Sequence, residues 1–177
     1  MNRTQLEHVI HAAAAITGQN TLIVIGSQAI LGTVERPHAD LVVSMEADLI
    51  SPGGAADATL IDGTIGKGSP FHATFGYHAH GVDLETATLP ADWRSRLRVI
   101  ESPATGGAKG LCLDLHDLAI SKLAAGRPKA LSFVSRLLLE NLITIAELHS
   151  RLAITTVHPE LRAAIDGRIV RMQSPLS

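Results

Sequence analysis

Apolar residues recur at helical spacing near the start of the chain. Four of them between positions 6 and 13 lie on one face of a helical wheel. Thr4 and Glu7 have the three-residue spacing of a capping box, in which each side chain bonds the other residue's backbone N–H. The pattern predicts a first helix that begins near Thr4 and ends at Gly18.

Two short, continuously apolar runs follow this helix. Residues 22–25 (Leu-Ile-Val-Ile) and 41–43 (Leu-Val-Val) are rich in β-branched side chains, which is typical of strands covered on both faces. Gly26 and Ser27 end the first run before a short helical turn. The second strand is predicted to run into residues 45–48.

The middle of the chain has a weaker pattern. Small residues dominate positions 53–68, where helical spacing is only faint, whereas residues 71–82 have strand character. Residues 96–100 and 110–113 are candidates for two further short strands. This part of the sequence therefore predicts a small sheet.

Helical patterns cover the chain from Asp114 almost to its end. They predict four helices, over residues 114–125, over 129–140, after Thr144 with Glu147 as its capping partner, and from Pro159 to about Met172. We therefore expect an α/β protein, α+β in some schemes. Its two domains are an α/β core over residues 1–113 and a C-terminal helical region over 114–177 packed on that core.

Composition narrows the class of protein. The 177 residues are 46% hydrophobic and 18% charged, which excludes a disordered chain and favours a compact one. A single cysteine, Cys112, excludes a disulfide framework and any multi-cysteine zinc site. No apolar run approaches the roughly 20 residues that span a bilayer. We expect a cytoplasmic protein without a membrane partner.

The small net charge of −2 conceals an uneven distribution. Residues 1–93 hold three basic and ten acidic side chains, whereas residues 94–177 hold twelve and seven. An acidic half could hold a cation and a basic half could meet phosphate, although packing of the two halves against each other would explain the same distribution.

The second predicted strand ends in two carboxylates at a spacing of two residues. Period-2 geometry places Glu46 and Asp48 on the same face of an extended chain, where they repel each other unless a cation lies between them. Their hard oxygen ligands suit Mg²⁺, which also takes up phosphate oxygens. Gly26 and Ser27 would allow close approach of a phosphate and offer it a hydroxyl group. Phosphoryl or nucleotidyl transfer needs this combination, since it depends on positioning and charge neutralisation.

Lys122 lies within the apolar stripe of its predicted helix. A helical wheel places it between Leu115 and Leu118 and puts Asp117 on the opposite side. The lysine must therefore extend to the surface or meet a negative group in the interior.

The motifs resemble those of the nucleotidyltransferase superfamily. Gly26-Ser27 with Glu46-x-Asp48 is similar to the strand–Gly-Ser–(Asp/Glu)-x-Asp signature, and Asp117 to Lys122 followed by Arg127 resembles a motif of AbiEii-type toxin nucleotidyltransferases and related uncharacterised bacterial proteins. The resemblance implies a nucleotidyltransferase-like mixed sheet with flanking helices and a C-terminal helical cap.

The same resemblance implies roles for residues and partners. Glu46 and Asp48 would be catalytic and would bind Mg²⁺. A nucleoside triphosphate would be bound by Gly26, Ser27, Lys122 and Arg127. Asp117 would support the site. The acceptor would be RNA, and the chain would be the toxin of a toxin–antitoxin pair with a cognate antitoxin as its protein partner.

Two departures from the family pattern leave an alternative open. Ala130 occupies the place of a later Asp, and no third carboxylate is evident in residues 71–82. His78 and His80 could take that place, or Asp83 could reach it, although imidazole is a poorer ligand for Mg²⁺ than carboxylate. The alternative function is a catalytically degenerate module that binds a nucleotide or a protein. A zinc site formed by the three histidines His72, His78 and His80 is a further alternative.

Overall fold

A five-stranded mixed sheet organises the first half of the chain. The computed structural model describes residues 1–173. The strands are β1 (Thr21–Ile25), β2 (Glu46–Ile50), β3 (His78–Gly81), β4 (Arg98–Ile100) and β5 (Lys109–Cys112), in the spatial order β3-β2-β1-β5-β4. β1 is parallel to β5 and antiparallel to β2, β2 is parallel to β3, and β4 is antiparallel to β5. The expected α/β class with a mixed sheet and flanking helices is confirmed.

Three helices belong to the same unit as the sheet: α1 (Arg3–Thr17), α2 (Gly54–Ile65) and α3 (Pro70–Phe75). The capping box of α1 forms between Asn2 and Gln5 and not between Thr4 and Glu7, so the predicted cap is wrong by two residues. Glu7 instead pairs with Arg3, one turn earlier on the helix, at 3.0 Å. Gly18 ends the helix in the left-handed conformation, as predicted.

The two faces of β2 and β3 differ in chemistry. Ala47 and Leu49 of β2 are buried, and their partners on β3 are Ala79 and Gly81. A Cβ atom on Gly81 would overlap the backbone of α2, so the absence of a side chain lets that helix pack directly on the strand. Side chains at the alternating positions of both strands lie on the opposite face of the sheet.

The second predicted strand is displaced along the chain. Residues 41–43 are not a strand: a 3₁₀ turn over Ala39–Leu41 includes the first of them, and the Val43 side chain is exposed. The strand begins at Glu46, where apolar and polar side chains alternate, so the carboxylates lie at the start and in the middle of β2 and not at the end of the strand.

The predicted strand over residues 71–82 is only half correct, because its first half is helix α3. Ser69 caps this helix and Gly76 ends it in the left-handed conformation. Phe71 and Phe75, four residues apart, contact the ring of His8 on α1 with ring centroids 5.1 and 4.7 Å away. Helical spacing of the two aromatic residues therefore decides the local structure.

The second compact unit is helical. It contains α4 (Leu115–Ala125), α5 (Pro128–Leu139), α6 (Ile145–Ala153) and α7 (Pro159–Gln173), which confirms the four predicted helices. Residues 87–96 group with them, because Ala91 donates a backbone hydrogen bond to Ile154 beside the bridge between Pro90 and Thr155. The domain limits 1–113 and 114–177 stay a prediction. Over the described residues, no helix combines the length and the apolar character needed to cross a bilayer.

Asp114 caps the first helix of this unit. Its side chain accepts a hydrogen bond from the backbone N–H of His116 at 3.0 Å. Burial alone would raise the pKa of this carboxyl, but hydrogen bonds from His116 and the positive charges of His116 and Arg151 outweigh burial and lower the pKa to about 2. The ionised carboxylate therefore stabilises the folded unit.

We predict that Asp114→Asn lowers stability in a pH-dependent way. The folded pKa of about 2 lies below the ordinary value of 3.8, so the contribution of the carboxylate is present above pH 4 and is lost as pH falls toward 2. Asn can still cap the helix, whereas Asp114→Ala also removes the cap and costs about 1 kcal/mol. Urea denaturation between pH 7 and pH 2.5 measures both variants. A difference between wild type and Asp114→Asn that does not change with pH would contradict this account.

Candidate functional site

Two carboxylates project from the same face of β2. Glu46 and Asp48 alternate along the strand with the buried residues Ala47 and Leu49, and their side chains are 41% and 29% exposed. The alternation that the sequence predicts for these two carboxylates is therefore present. Both are accessible to a ligand from solvent while their backbone is fixed within a sheet.

Two histidines on β3 face these carboxylates one to one. The parallel register of β2 and β3 pairs Glu46 with His78 and Asp48 with His80. His78 Nε2 lies 3.0 Å from Glu46 Oε2, and His80 Nδ1 lies 3.3 Å from Asp48 Oδ1. In each pair the imidazole N–H donates to the carboxylate, which at neutral pH only accepts.

The two histidines differ in their surroundings. The His78 side chain is only 9% exposed, and its Nδ1 atom is buried without a hydrogen-bond partner among the described residues. The His72 ring of α3 packs against it with ring centroids 4.5 Å apart. The His80 side chain is 49% exposed. His78 is therefore held in place and orients Glu46, whereas His80 is available to a ligand.

The Gly-Ser turn lies beside Asp48. The antiparallel register of β1 and β2 places Ile25 opposite Asp48, and Gly26 follows directly. Gly26 has φ +70° and ψ −169°, a conformation available essentially only to glycine, and a Cβ atom here would overlap the Asp48 carboxylate. Ser27 begins a 3₁₀ helix over Ser27–Gly32 and is half-buried. Sheet pairing thus brings together the two motifs that lie about 20 residues apart in the sequence.

The fully buried Gln28 side chain braces the same region. Its Nε2 atom donates to the carbonyl oxygen of Ser44 at 2.9 Å. Ser44 in turn contacts the backbone of Glu46 through its hydroxyl group, which receives a hydrogen bond from the Glu46 N–H at 3.2 Å. The turn after β1 and the start of β2 are therefore tied to each other.

One group of side chains could hold a metal ion. Among residues 1–173, ligand atoms of Glu46, Asp48 and His80 all lie within 4.8 Å of one another. Asp83 is not part of this group, and His72, His78 and His80 form no such group among these residues. His72 Nδ1 instead accepts a hydrogen bond from the Gly68 N–H at 3.0 Å. Two carboxylate oxygens and one imidazole nitrogen fit a divalent cation.

The two basic residues predicted to bind the nucleotide belong to the helical unit. Lys122 is half-buried near the end of α4, with its Nζ atom 5.7 Å from the centroid of the Phe133 ring. Arg127 is exposed and directly precedes α5, whose buried face includes Ala130. The ammonium group therefore lies within the range of a cation–π interaction with an aromatic ring of the same unit.

Asp117, predicted to support the site, forms a buried ion cluster. Its carboxylate accepts hydrogen bonds from Arg96 Nε at 2.9 Å and Arg96 Nη2 at 3.1 Å. Arg151 Nε lies 3.3 Å from Oδ1, the oxygen that also accepts from Arg96 Nη2. Burial raises the pKa of Asp117, and the two guanidinium groups offset part of that rise. The cluster joins α4, α6 and the turn that contains Arg96, all within the helical unit.

Comparison with known proteins assigns the chain to one group. A family model described as "nucleotidyltransferase of unknown function (DUF6036)" matches residues 4–165. No curated protein and no solved structure matches the chain at a significant level. The match covers both compact units, including the strands that carry the candidate site.

We predict that Asp117→Asn destabilises the protein by about 3 kcal/mol, because it leaves two guanidinium groups near each other without their buried anion. Asp166→Asn is the matched control. Asp166 pairs with His149 at 3.2 Å and its side chain is 52% exposed, so its loss is expected to cost less than about 0.5 kcal/mol. Urea denaturation compares the two variants. Equal stability of both would show that the Asp117 cluster does not hold the helical unit together.

We also predict that Gly26→Ala costs more stability than Gly18→Ala, in part because its ψ of −169° disfavours alanine and in part because the new Cβ atom would overlap Asp48. Gly18 has a similar φ of +71°, but a Cβ atom there would meet nothing within 4 Å, so alanine costs only about 1–2 kcal/mol of backbone strain. Asp48→Ala should reduce the cost of Gly26→Ala and leave that of Gly18→Ala unchanged. A double-mutant cycle of unfolding free energies measures this coupling. Additive effects at positions 26 and 48 would refute the close contact.

Proposed function

Because the chain belongs to the DUF6036 family of nucleotidyltransferases of unknown function, we propose that it transfers a nucleotide from a nucleoside triphosphate to an acceptor, using a divalent cation held by Glu46 and Asp48. The observation that carries the proposal is the alignment of these two carboxylates with His80 beside the Gly26 turn, with the three ligand atoms within 4.8 Å. Two carboxylates this close favour a cation between them.

Each residue near the carboxylates has a role in this proposal. When bound, a divalent cation supplies positive charge to phosphate oxygens and orients them. Gly26 leaves room for the Asp48 carboxylate against the turn, and the Ser27 hydroxyl group can donate to a phosphate oxygen. His78 keeps the Glu46 carboxylate in one orientation through its hydrogen bond of 3.0 Å. The site therefore combines positioning with charge neutralisation, which are the main requirements of phosphoryl-group chemistry.

The acceptor and the biological role in this proposal follow from the resemblance to AbiEii-type toxin nucleotidyltransferases. RNA is the acceptor to test first, and an AbiEii-type toxin with a cognate antitoxin is the biological role to test after it. Phosphate neutralisation by Lys122 and Arg127 stays a prediction, which a rise in the KM for the triphosphate in Lys122→Met would support. The catalytically degenerate alternative is disfavoured by the family assignment, and binding of a nucleotide without any turnover would restore it.

We predict that Glu46→Gln and Asp48→Asn each reduce nucleotidyl transfer by about 100-fold or more, because each removes a negative ligand of the cation. The full-length chain is incubated with each labelled nucleoside triphosphate, with Mg²⁺ or Mn²⁺, and with total RNA. Transfer of label to RNA is measured.

Glu101→Gln is the matched control for this assay. Glu101 belongs to the same unit, and its side chain is 49% exposed and pairs with Lys109 at 3.5 Å. Its loss should leave transfer unchanged. Transfer that persists in the double variant Glu46→Gln/Asp48→Asn would overturn the assignment of these carboxylates.

A further inference from the structure

His80 gives the candidate cation site a nitrogen ligand. Position 80 lies next to Asp48 in the parallel register of β2 and β3, at the point where a third side chain can reach a cation shared by Glu46 and Asp48. Its ring is 49% exposed and lies 3.3 Å from Asp48 Oδ1. The set of ligand atoms is therefore two oxygens and one nitrogen.

This set of ligands suits a transition ion better than Mg²⁺. Mg²⁺ takes oxygen ligands in a strict octahedron and gains little from imidazole, whereas imidazole binds first-row transition ions well. Two carboxylates retain affinity for an ion that also accepts phosphate oxygens, and Mn²⁺ meets both conditions. A thiolate ligand, which would favour softer ions, is absent from the group. The single cysteine, Cys112, lies on β5 and burial raises its pKa to about 12.

A second observation supports a prearranged cation site. The His78 side chain is 9% exposed and donates to Glu46 at 3.0 Å, with its other ring nitrogen buried and unpartnered among the described residues. This hydrogen bond fixes the carboxylate of Glu46 before a cation arrives, as the outer-shell partners of metal ligands do.

We infer that Glu46, Asp48 and His80 bind a divalent first-row transition ion of the Mn²⁺ type in preference to Mg²⁺, and that His80 sets this preference. The inference rests on the proposed function, in which Glu46 and Asp48 hold a divalent cation. His80 is a direct ligand in this arrangement and binds as a neutral imidazole through the ring nitrogen that carries no proton, whereas His78 is a positioning residue that acts through Glu46.

Calorimetric titration of the full-length chain with Mn²⁺ and with Mg²⁺ tests the preference without any turnover. We expect wild type to bind Mn²⁺ about tenfold or more tightly than Mg²⁺. His80→Asp restores an all-oxygen set and should narrow or reverse this ratio, whereas His80→Gln should weaken Mn²⁺ binding by about tenfold or more. Circular dichroism verifies that both variants are folded, which the exposure of His80 favours.

Pulsed electron paramagnetic resonance of the Mn²⁺-loaded protein identifies the ligand directly. A nitrogen bound to Mn²⁺ modulates the spin echo. The modulation should be present in wild type, absent in His80→Asp and His80→Gln, and retained in His38→Gln. His38 is the matched control, since its side chain is similarly exposed, at 41%, and pairs with a different carboxylate, that of Asp40.

The outcomes separate the two proposals. Equal affinity of wild type for both ions, or nitrogen modulation that persists without His80, overturns the inference and leaves the proposed transfer reaction standing. Absence of binding of either ion overturns the cation site and the proposed function with it. Mn²⁺ preference that depends on His80, in a chain that transfers no nucleotide, supports the inference and overturns the proposed function.

Discussion

Backbone hydrogen bonds hold β2 between β1 and β3, and this pairing places the side chains of the candidate site. The parallel register with β3 sets the two carboxylates opposite two histidines, and the antiparallel register with β1 brings Gly26 against Asp48. A slip of one residue would turn both carboxylates toward the face that α1 and α2 cover. The apolar residues Ala47 and Leu49 prevent that slip, because they would lose their burial. The packing that fixes the register of the sheet therefore also determines which side chains meet at the candidate site.

The two compact units use charge in different ways. In the unit with the sheet, carboxylates at the site remain partly exposed and have imidazole partners, so they can still take a cation. In the helical unit, Asp117 is fully buried and its charge is balanced by Arg96 and Arg151. A group neutralised in this way serves the stability of its own unit. The same residue type thus has a structural role in the helical unit, whereas a binding role is proposed for it in the unit with the sheet.

Sequence patterns predicted the helices better than the strands. The helical spacing of apolar residues and the capping residues are both local features of the sequence. Helices α4 to α7 could therefore be predicted, with bounds within about two residues of those observed. A three-residue apolar run such as 41–43 carries no comparable local preference, and Val43 is exposed. The strand over residues 46–50 was harder to recognise because its alternating charged side chains resemble those of a surface loop. The Phe71 and Phe75 spacing, with Ser69, Pro70 and Gly76 around it, was a readable helix pattern that the strand prediction overlooked.

For the candidate site residues, too, relations within one element could be predicted from the sequence, whereas contacts between elements could not. The spacing of Glu46 and Asp48 predicted their shared face, because that relation lies within one strand. The partners of Asp117 could not be predicted, since Arg96 and Arg151 are 21 and 34 residues away in the sequence and only the tertiary fold brings them together. The contact between His72 and His78 was likewise hidden, because it depends on α3 being a helix.

His78 Nδ1, which has no hydrogen-bond partner within residues 1–173, affects how the chain can change during evolution. A polar atom buried without a hydrogen bond costs about 1–3 kcal/mol, which an apolar side chain of similar shape at position 78 would not incur. Substitutions toward such side chains would therefore stabilise the fold while releasing Glu46 from its fixed orientation. Stability and the proposed function oppose each other at this position, so a histidine retained here would reflect selection on the proposed site and not on folding.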